Sequence, residues 1–574
     1  MTHRVSTISA VLVTCLLSTT GSAVETIDCP NSPTPPALGV CEVTAGDAPL
    51  VIEATLLTEE AILRDGHLMI DAAGSITCAG CDCSGQPGFA TATRITCADG
   101  VAAPGLINLH DHINWADSPP VDHGLERFDH RHDWRKGLRG HVKLTIPFST
   151  GTDWGRSWCE LRHLLAGTTS MIGSGSAPAF VRNLDTITDQ DGLGQDPVWA
   201  PTFPLDDSAG VLLVGSCAYP GFNGPYPNET YMPHLAEGID PEARNEFLCI
   251  SDDTLPGGHD AIDDAALVHA IGLLPDDGDL LASRAGSVVW SPRSNISLYG
   301  MTAPITTYKD LGVNVALGTD WVPSGSMNIL RELQCARDYN EVLLASEFSD
   351  HDLVGMVTWN AAYAARMDGA IGHLRPGLFA DIAIFDGSVN LDAAAIVDAE
   401  APDVVLVLKA GLPMFGDAPV MEALGAGAGG CELLSGCLSG KRVCVTREGA
   451  SVGATLANLS ATYTHYPLFV CANPPPDEPT CTPYRNEGDG IFFDGIPIAG
   501  DVDGDGVLDG ADNCPTVFNP PRPVDNFGQG DADADEIGDA CDRCPLDPGE
   551  IICIAMFYDG FESGDTSAWT NTVP

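Results

Sequence analysis

His110 and His112 stand two residues apart in the run Pro104-Gly-Leu-Ile-Asn-Leu-His-Asp-His112. On an extended strand that spacing puts both imidazoles on one face and sends Asp111 to the other. Two imidazoles sharing a face suit a divalent transition metal, zinc or iron. The pair alone is a weak signal, because a buried histidine usually just finds a hydrogen-bond partner. Further donors follow at the ends of short apolar runs: His234 in YMPHLAEG, His269 in ALVHAIG and Asp320 in VALGTDW. Singly, each reads as a satisfied core histidine or a capping aspartate. As an ordered set they read as a metal site.

Such side chains need a scaffold that brings them to one place. From 104 to 365, short apolar runs (GLINLH, TTSMIG, ALVHAIG, GSVVWSP, VNVALGTD) alternate with longer helix-compatible stretches. Short buried strands between helices predict a parallel α/β architecture, and the length suits a TIM (β/α)8 barrel. In that fold the C-terminal strand ends carry the chemistry. The flanking segments 24–103 and 366–424 contain β-rich pieces broken by Gly and Asp, such as LVIEATLLT and VVLVLKAGLPMF. They predict a small composite β-sandwich. Residues 425–500 are rich in Cys, Gly and Pro and suggest no role. Residues 501–547 form an acidic module, and 548–574 a polar-aromatic tail.

The chain has 574 residues, too many for one compact domain, with 27 basic residues against 79 acidic and a net charge of −52. That balance repels nucleic acid and anionic membranes, and it favours cation binding. A small molecule is the expected substrate, and cell-surface association stays open. His3 and Arg4, the apolar run from Ile8 to Leu17 and the small residues Gly21-Ser22-Ala23 predict a signal peptide over 1–23. The protein is therefore expected to be secreted, periplasmic or on the cell surface. Cys15 lies in a poor lipid-attachment context, and no later stretch is long and apolar enough for a transmembrane helix. Twenty cysteines fit an oxidising compartment. The early cluster Cys78, Cys81, Cys83 and Cys97 reads as disulfides ahead of zinc ligands. The loop from Asp122 to His141 gathers His123, His130, His132 and His141 among Arg127, Arg131, Arg135, Lys136 and Arg139. It reads either as a contact for an acidic substrate group or as a salt-bridged structural loop.

PGLINLHDH, HLAEG, VHAIGL, SPRSNISLYG and VALGTDW, in this order, resemble the amidohydrolase superfamily over residues 49–420. The likeness is closest to its mononuclear deaminase and chlorohydrolase branch. The resemblance implies that His110, His112, His234 and Asp320 hold one divalent transition metal, zinc or iron. It implies that Glu237 is the acid/base, that His269 contacts the attacking water or the substrate, and that Asp320 accepts a proton. Ser294 and Asn295 fall in a P-x-S-N turn. Of the five lysines (Lys136, Lys143, Lys309, Lys409, Lys441), none lies between TTSMIG and His234, so a lysine bridging two metals is not expected. The implied activity is hydrolysis of carbon–nitrogen (non-peptide) bonds by a metal-activated water, as in an aminohydrolase or deaminase. A chlorohydrolase or peptidase-like amidohydrolase is the alternative within enzymes. A calcium-dependent surface or adhesion protein with an inactive barrel is the alternative from another class, against which the ligand set and Glu237 count.

Asp501, Asp503, Asp505, Asp509 and Asp512 precede Cys514-Pro515, and Asp531, Asp533, Asp535, Asp539 and Asp542 precede Cys544-Pro545. Alternating carboxylates in a turn-rich loop supply the hard oxygen ligands that Ca²⁺ prefers. The spacing DxDGDGxxDxxDNCP resembles thrombospondin type 3 repeats, which implies that these carboxylates wrap calcium and that cysteines staple the turns. Ala534 and Glu536 stand where glycine is common, so the second loop is expected to be less regular. Without calcium the carboxylates repel one another, and folding of the module is expected to depend on the ion.

Overall fold

The computed structural model describes residues 24–549 except 32, 147–150, 174–179, 428–430, 446–450, 461–464, 472–473, 487 and 489. The expected signal peptide, and all but the first residues of the C-terminal tail, lie outside the described residues.

Eight short parallel strands close into a barrel. Leu106–Asn108 pairs with Thr168–Met171, which pairs with Arg182–Asn183. The Val198 amide then donates to Leu184 O at 3.0 Å, bringing in Val198–Trp199. That strand pairs with Thr230–Tyr231, which runs on into His234–Leu235. Ala266–His269, Ser287–Trp290 and Asn314–Leu317 complete the ring. Closure comes from the Asp320 amide, which donates to His110 O at 2.9 Å, and from a parallel bridge between Asp111 and Asp320. Four-residue runs such as Ser-Val-Val-Trp are too short for a helix and are buried on both faces, as parallel strands require. Helices such as Asp153–Leu164, Pro241–Ser251, Pro292–Tyr299 and Ile329–Leu343 cover the outside. Their starts are locally encoded: the Asp240 side chain accepts from Ala243 N, with Pro241 in the first turn.

The two flanking segments join one mixed sheet of eleven strands. Asp47–Leu57 pairs with Ala61–Ile70 and with Ala92–Pro104, and the far end of Ala92–Pro104 pairs with Ile382–Asp386. Val404–Lys409 and Leu412–Asp417 follow. Ile52, Leu68, Ile95, Ile382 and Leu406 share one core, so both halves are needed to bury it. Ala92–Pro104 leads through Gly105 directly into the first barrel strand. The sheet therefore anchors the strand that ends in His110 and His112.

The early cysteines form the disulfides Cys29–Cys81, Cys41–Cys97 and Cys78–Cys83, leaving no thiolates there for zinc. Five further disulfides join described cysteines, while Cys159 is free and buried. No described helix is long and apolar enough to cross a membrane.

Residues 425–500, opaque in sequence, wrap the barrel. Tyr466 O accepts from Trp158 Nε1 at 2.8 Å, Glu478 pairs with Arg331 at 2.6 Å, and Cys481 bonds Cys335. The acidic module docks on the barrel too: the Phe518 amide donates to Leu343 O at 2.8 Å, and Phe518 joins the main core. Its two loops have the same backbone. Asp503 and Asp533 accept from the amides of Asp505 and Asp535, while Asp509 and Asp539 accept from Val502 and Ala532. Where the first loop uses Gly504 and Gly506 at φ 73 and 88, the second holds Ala534 and Glu536 at φ 63 and 78. The second loop is thus as regular as the first, at a cost in backbone strain.

Candidate active site

The first barrel strand ends in His110 and His112, whose Nε2 atoms lie 3.3 Å apart. The fifth delivers His234, with Nε2 3.0 Å from that of His110. The eighth delivers Asp320, with Oδ1 3.5 Å from His110 Nε2 and 3.3 Å from His112 Nε2. Three imidazole nitrogens and a carboxylate oxygen thus gather around His110, in two overlapping sets of possible metal ligands: His110, His112 and Asp320, and His110, His234 and His269. Burial, with the neighbouring imidazoles adding to it, holds His110 and His234 far below the ordinary histidine range. Neutral imidazoles keep the lone pairs that a metal takes. Burial also pushes the Asp320 carboxyl well up, with the Glu237 charge adding to it; a divalent cation among these groups reverses that preference. The donor set fits a four-coordinate transition-metal centre.

Glu237 and His269 stand beside this centre, with Glu237 Oε2 3.7 Å from His269 Nε2. Burial pushes Glu237 up, but His269, Arg131 and Tyr299 outweigh it and hold the carboxyl below its ordinary value. The Tyr299 hydroxyl donates to Glu237 Oε1 at 2.6 Å and itself accepts from Trp134 Nε1 at 3.0 Å. Asn295 Oδ1 lies 3.1 Å from His269 Nδ1, which assigns the ring proton to Nδ1 and leaves the Nε2 lone pair facing Glu237. Ser294 Oγ donates to Asp320 Oδ2 at 2.6 Å. The P-x-S-N segment is therefore not a free turn. It is the first turn of the helix Pro292–Tyr299, and it braces two site residues at once.

His269 and Asp320 both have left-handed backbones, φ 74 and 58. Such non-glycine residues persist where surrounding contacts over-determine them, as at working sites. Gly318 allows the first and eighth strands to meet. A Cβ there would lie 2.5 Å from His110 Cβ and 2.7 Å from its amide nitrogen.

Asp111 is turned away from the metal donors, as its place on the strand predicts. Its Oδ2 accepts from His163 Nε2 at 2.8 Å and from Thr319 Oγ1 at 3.1 Å. The basic loop is largely structural. Arg131 sits between Asp207 and Glu246, 2.9 Å from each, and His132 meets Asp207 at 2.8 Å. Arg135 of the same loop, however, lines the cavity that contains His112, His234 and Asp320, as does Lys143. That cavity of about 320 Å³ also contains Trp115, Trp134, Phe203 and Trp321. Sequence reasoning did not single out Tyr299, Trp134, Trp321 or His163, since no spacing rule links them to the histidines.

In the acidic module the carboxylates of Asp501, Asp503 and Asp505 gather within metal-ligand distance of one another. Asp503 Oδ2, Asp531 Oδ1 and Asp533 Oδ2 are buried without a hydrogen-bond partner.

Residues 242–414 match the model of the amidohydrolase family, and residues 499–522 that of the thrombospondin type 3 repeat. A stretch of 122 residues is 34% identical to the 5-methylthioadenosine/S-adenosylhomocysteine deaminase of Teredinibacter turnerae, covering 21% of this chain and 28% of the relative. A stretch of 150 residues is 32% identical to the enzyme of the same name from Thermoanaerobacter pseudethanolicus, covering 24% and 35%. The chain thus spans about a third or less of the length of these relatives. Among solved structures, it is similar to an adenosine deaminase from Xanthomonas campestris with bound zinc, at 15% identity and TM-score 0.44, covering 68% of this chain and 94% of that one. It is also similar to atrazine chlorohydrolase from Arthrobacter aurescens complexed with zinc, at 18% identity and TM-score 0.45, covering 72% and 99%. The chain thus carries a segment that matches the amidohydrolase family, followed by a thrombospondin type 3 repeat.

Proposed function

We propose that this protein is a metal-dependent hydrolase acting on carbon–nitrogen bonds other than peptide bonds, as an aminohydrolase or deaminase. The observation that carries the reading is the gathering of His112, His234 and Asp320 around His110, with Glu237 and His269 beside them in one cavity. Those four residues would hold the metal, zinc or iron, which supplies a water activated for attack near neutral pH. Glu237 carries a proton to the substrate or leaving nitrogen, with Tyr299 fixing its carboxyl. His269, its tautomer set by Asn295, orients the attacking oxygen or steadies developing charge. Asp320 accepts a proton, and Ser294 holds its second oxygen. The tryptophans of the cavity wall exclude bulk water.

The deaminase names of the relatives support ammonia as the leaving group; a chlorohydrolase would release halide from the same site. The acidic module is read as calcium-binding through Asp501, Asp503, Asp505, Asp509 and Asp512 and through Asp531, Asp533, Asp535, Asp539 and Asp542. The partnerless buried oxygens support that reading. The disulfides support export to an oxidising compartment, secreted or at the cell surface.

The test is a screen for ammonia and chloride release across purines, pyrimidines, triazines and small amides, with metal content measured on the same sample. Glu237→Gln is expected to keep its transition metal and lose turnover. A purified protein that holds calcium but no transition metal would instead support a binding protein with an inactive barrel.

A further inference from the structure

Cations are scarce in this chain, 27 against 79 acidic residues. On the basic loop, Arg131 and Arg139 end on carboxylates. Arg131 is enclosed by Asp207 and Glu246, and Arg139 meets Asp133 and Asp240 at 2.5 and 2.7 Å. Two cations in the cavity differ. Arg135 has no carboxylate within ion-pair distance among the described residues. Its guanidinium reaches neutral His132 Nδ1 at 3.1 Å and lies 4.1 Å over the Phe203 ring. Lys143 is exposed and makes no ion pair among the described residues. Both line the cavity that contains His112, Glu237, His269 and Asp320. Burial and the neighbouring Arg131 charge both disfavour the Arg135 cation, a cost that an anion beside it would offset.

Aromatic rings line the same cavity. The Trp321 ring lies 5.9 Å from that of His112, with Trp115 at 5.6 Å and Trp134 at 5.5 Å from Trp321. Indole faces suit a flat ring. Glu237 and Asp320 repel an anion placed beside them, which favours seating the anionic group on the cations instead.

We propose that Arg135 and Lys143 are specificity-determining residues that hold an anionic group, carboxylate or phosphate, of a substrate whose planar nitrogen-bearing ring lies against Trp321. This rests on the hydrolase reading above. A guanidinium offers a planar fork for such an anion, and an ammonium adds a point charge. On a surface as negative as this one, a local positive patch is also what draws an anion in.

The first test needs no turnover. Protein stripped of transition metal but kept in calcium is titrated with benzoate, phenyl phosphate and neutral benzyl alcohol, read by tryptophan fluorescence and calorimetry. One of the anions is expected to bind at least about tenfold tighter than the alcohol, and which one does so separates carboxylate from phosphate. Arg135→Gln and Lys143→Gln are each expected to weaken that anion about five- to tenfold and leave the alcohol unchanged. The second test compares ammonia release from ring pairs that differ by one anionic group, such as adenosine and its 5′-phosphate. The variants are expected to raise KM for the anionic member and keep kcat. Equal wild-type affinity for neutral and anionic probes, or variants that weaken both alike, overturns the inference. Anion preference without ammonia from any substrate removes the hydrolase reading and leaves the anion site standing. Turnover indifferent to the anionic group does the reverse.

Discussion

The Tyr299 hydroxyl and the Glu237 carboxylate, 62 residues apart in the chain, share a hydrogen bond of 2.6 Å inside the cavity. Burial raises the Tyr299 phenol far above its ordinary range, with the Glu237 charge adding to it, so this group acts as a donor across the working pH range. Its own orientation is fixed by Trp134. The Glu237 carboxylate is therefore held by a residue that need not touch substrate.

Tyr299→Phe keeps the ring and removes that donor. The expected result is a fall of about tenfold in kcat, equivalent to about 1.4 kcal/mol, with unchanged metal stoichiometry and circular dichroism. Wild-type kcat in this variant would show that Glu237 needs no such support.

Gly318→Ala places a methyl group against His110. Overpacking of this kind costs about 1–3 kcal/mol and here displaces a proposed metal ligand rather than a passive side chain. Transition-metal content by mass spectrometry is expected to fall well below wild type, together with Tm. Full loading at wild-type Tm would mean that the first and eighth strands can separate without harm.

The acidic module touches the loops that follow Glu237 and His269. The Val524 amide donates to Ile239 O at 3.0 Å, and Arg522 Nη1 donates to Ile271 O at 3.1 Å. Ile239 and Ile271 each lie two residues beyond Glu237 and His269. Removing calcium with a calcium-selective chelator is expected to lower both Tm and turnover while the transition metal stays bound. A drop in Tm with turnover intact would confine the module to stability.

Ala534 and Glu536 occupy left-handed positions that the first repeat fills with glycine. Ala534→Gly and Glu536→Gly are each expected to stabilise the calcium-loaded protein by about 1 kcal/mol, seen as a rise in Tm, since an L side chain in that region costs about 1–2 kcal/mol. The gain is reduced by the extra freedom glycine gives the unfolded chain. Lower stability in both would show that their side chains make contacts worth more than the strain.

Glu332 is fully buried. That burial pushes its carboxyl from the ordinary 4.5 up to about 7, against the pull of Arg293. The sign follows from proton counting. Between those two values the folded chain keeps a proton that the unfolded chain has released, so stability falls as pH rises through that window. The slope is at most about 1.4 kcal/mol per pH unit for one group. Glu332→Gln retains an acceptor for the Arg293 amide. It is expected to flatten this part of the stability-against-pH curve in denaturant titrations. An unchanged slope would assign the dependence to other buried acids such as Glu160, which burial likewise raises to about 7.

Much of this protein is legible locally. The two-residue spacing of His110 and His112 fixes which way both rings face, because alternation is a property of any strand. The apolar runs ending in His234, His269 and Asp320 mark strand ends, since only buried parallel strands read that way. The aspartate ladder from Asp501 encodes its own turns through side-chain to amide bonds two residues on. Tertiary structure decided the rest. Cysteine pairing cannot be deduced from order alone: Cys78 pairs with Cys83 inside the early cluster, while Cys81 and Cys97 pair with Cys29 and Cys41 from earlier in the chain. Tyr299 reaches Glu237, Ser294 reaches Asp320, and residues 425–500 strap the barrel only after the eight strands close, because those contacts join segments far apart in the chain. The same holds for the basic loop: charge and spacing marked it as unusual, but ring closure decided that Arg131 is spent on Asp207 and Glu246 while Arg135 faces the cavity.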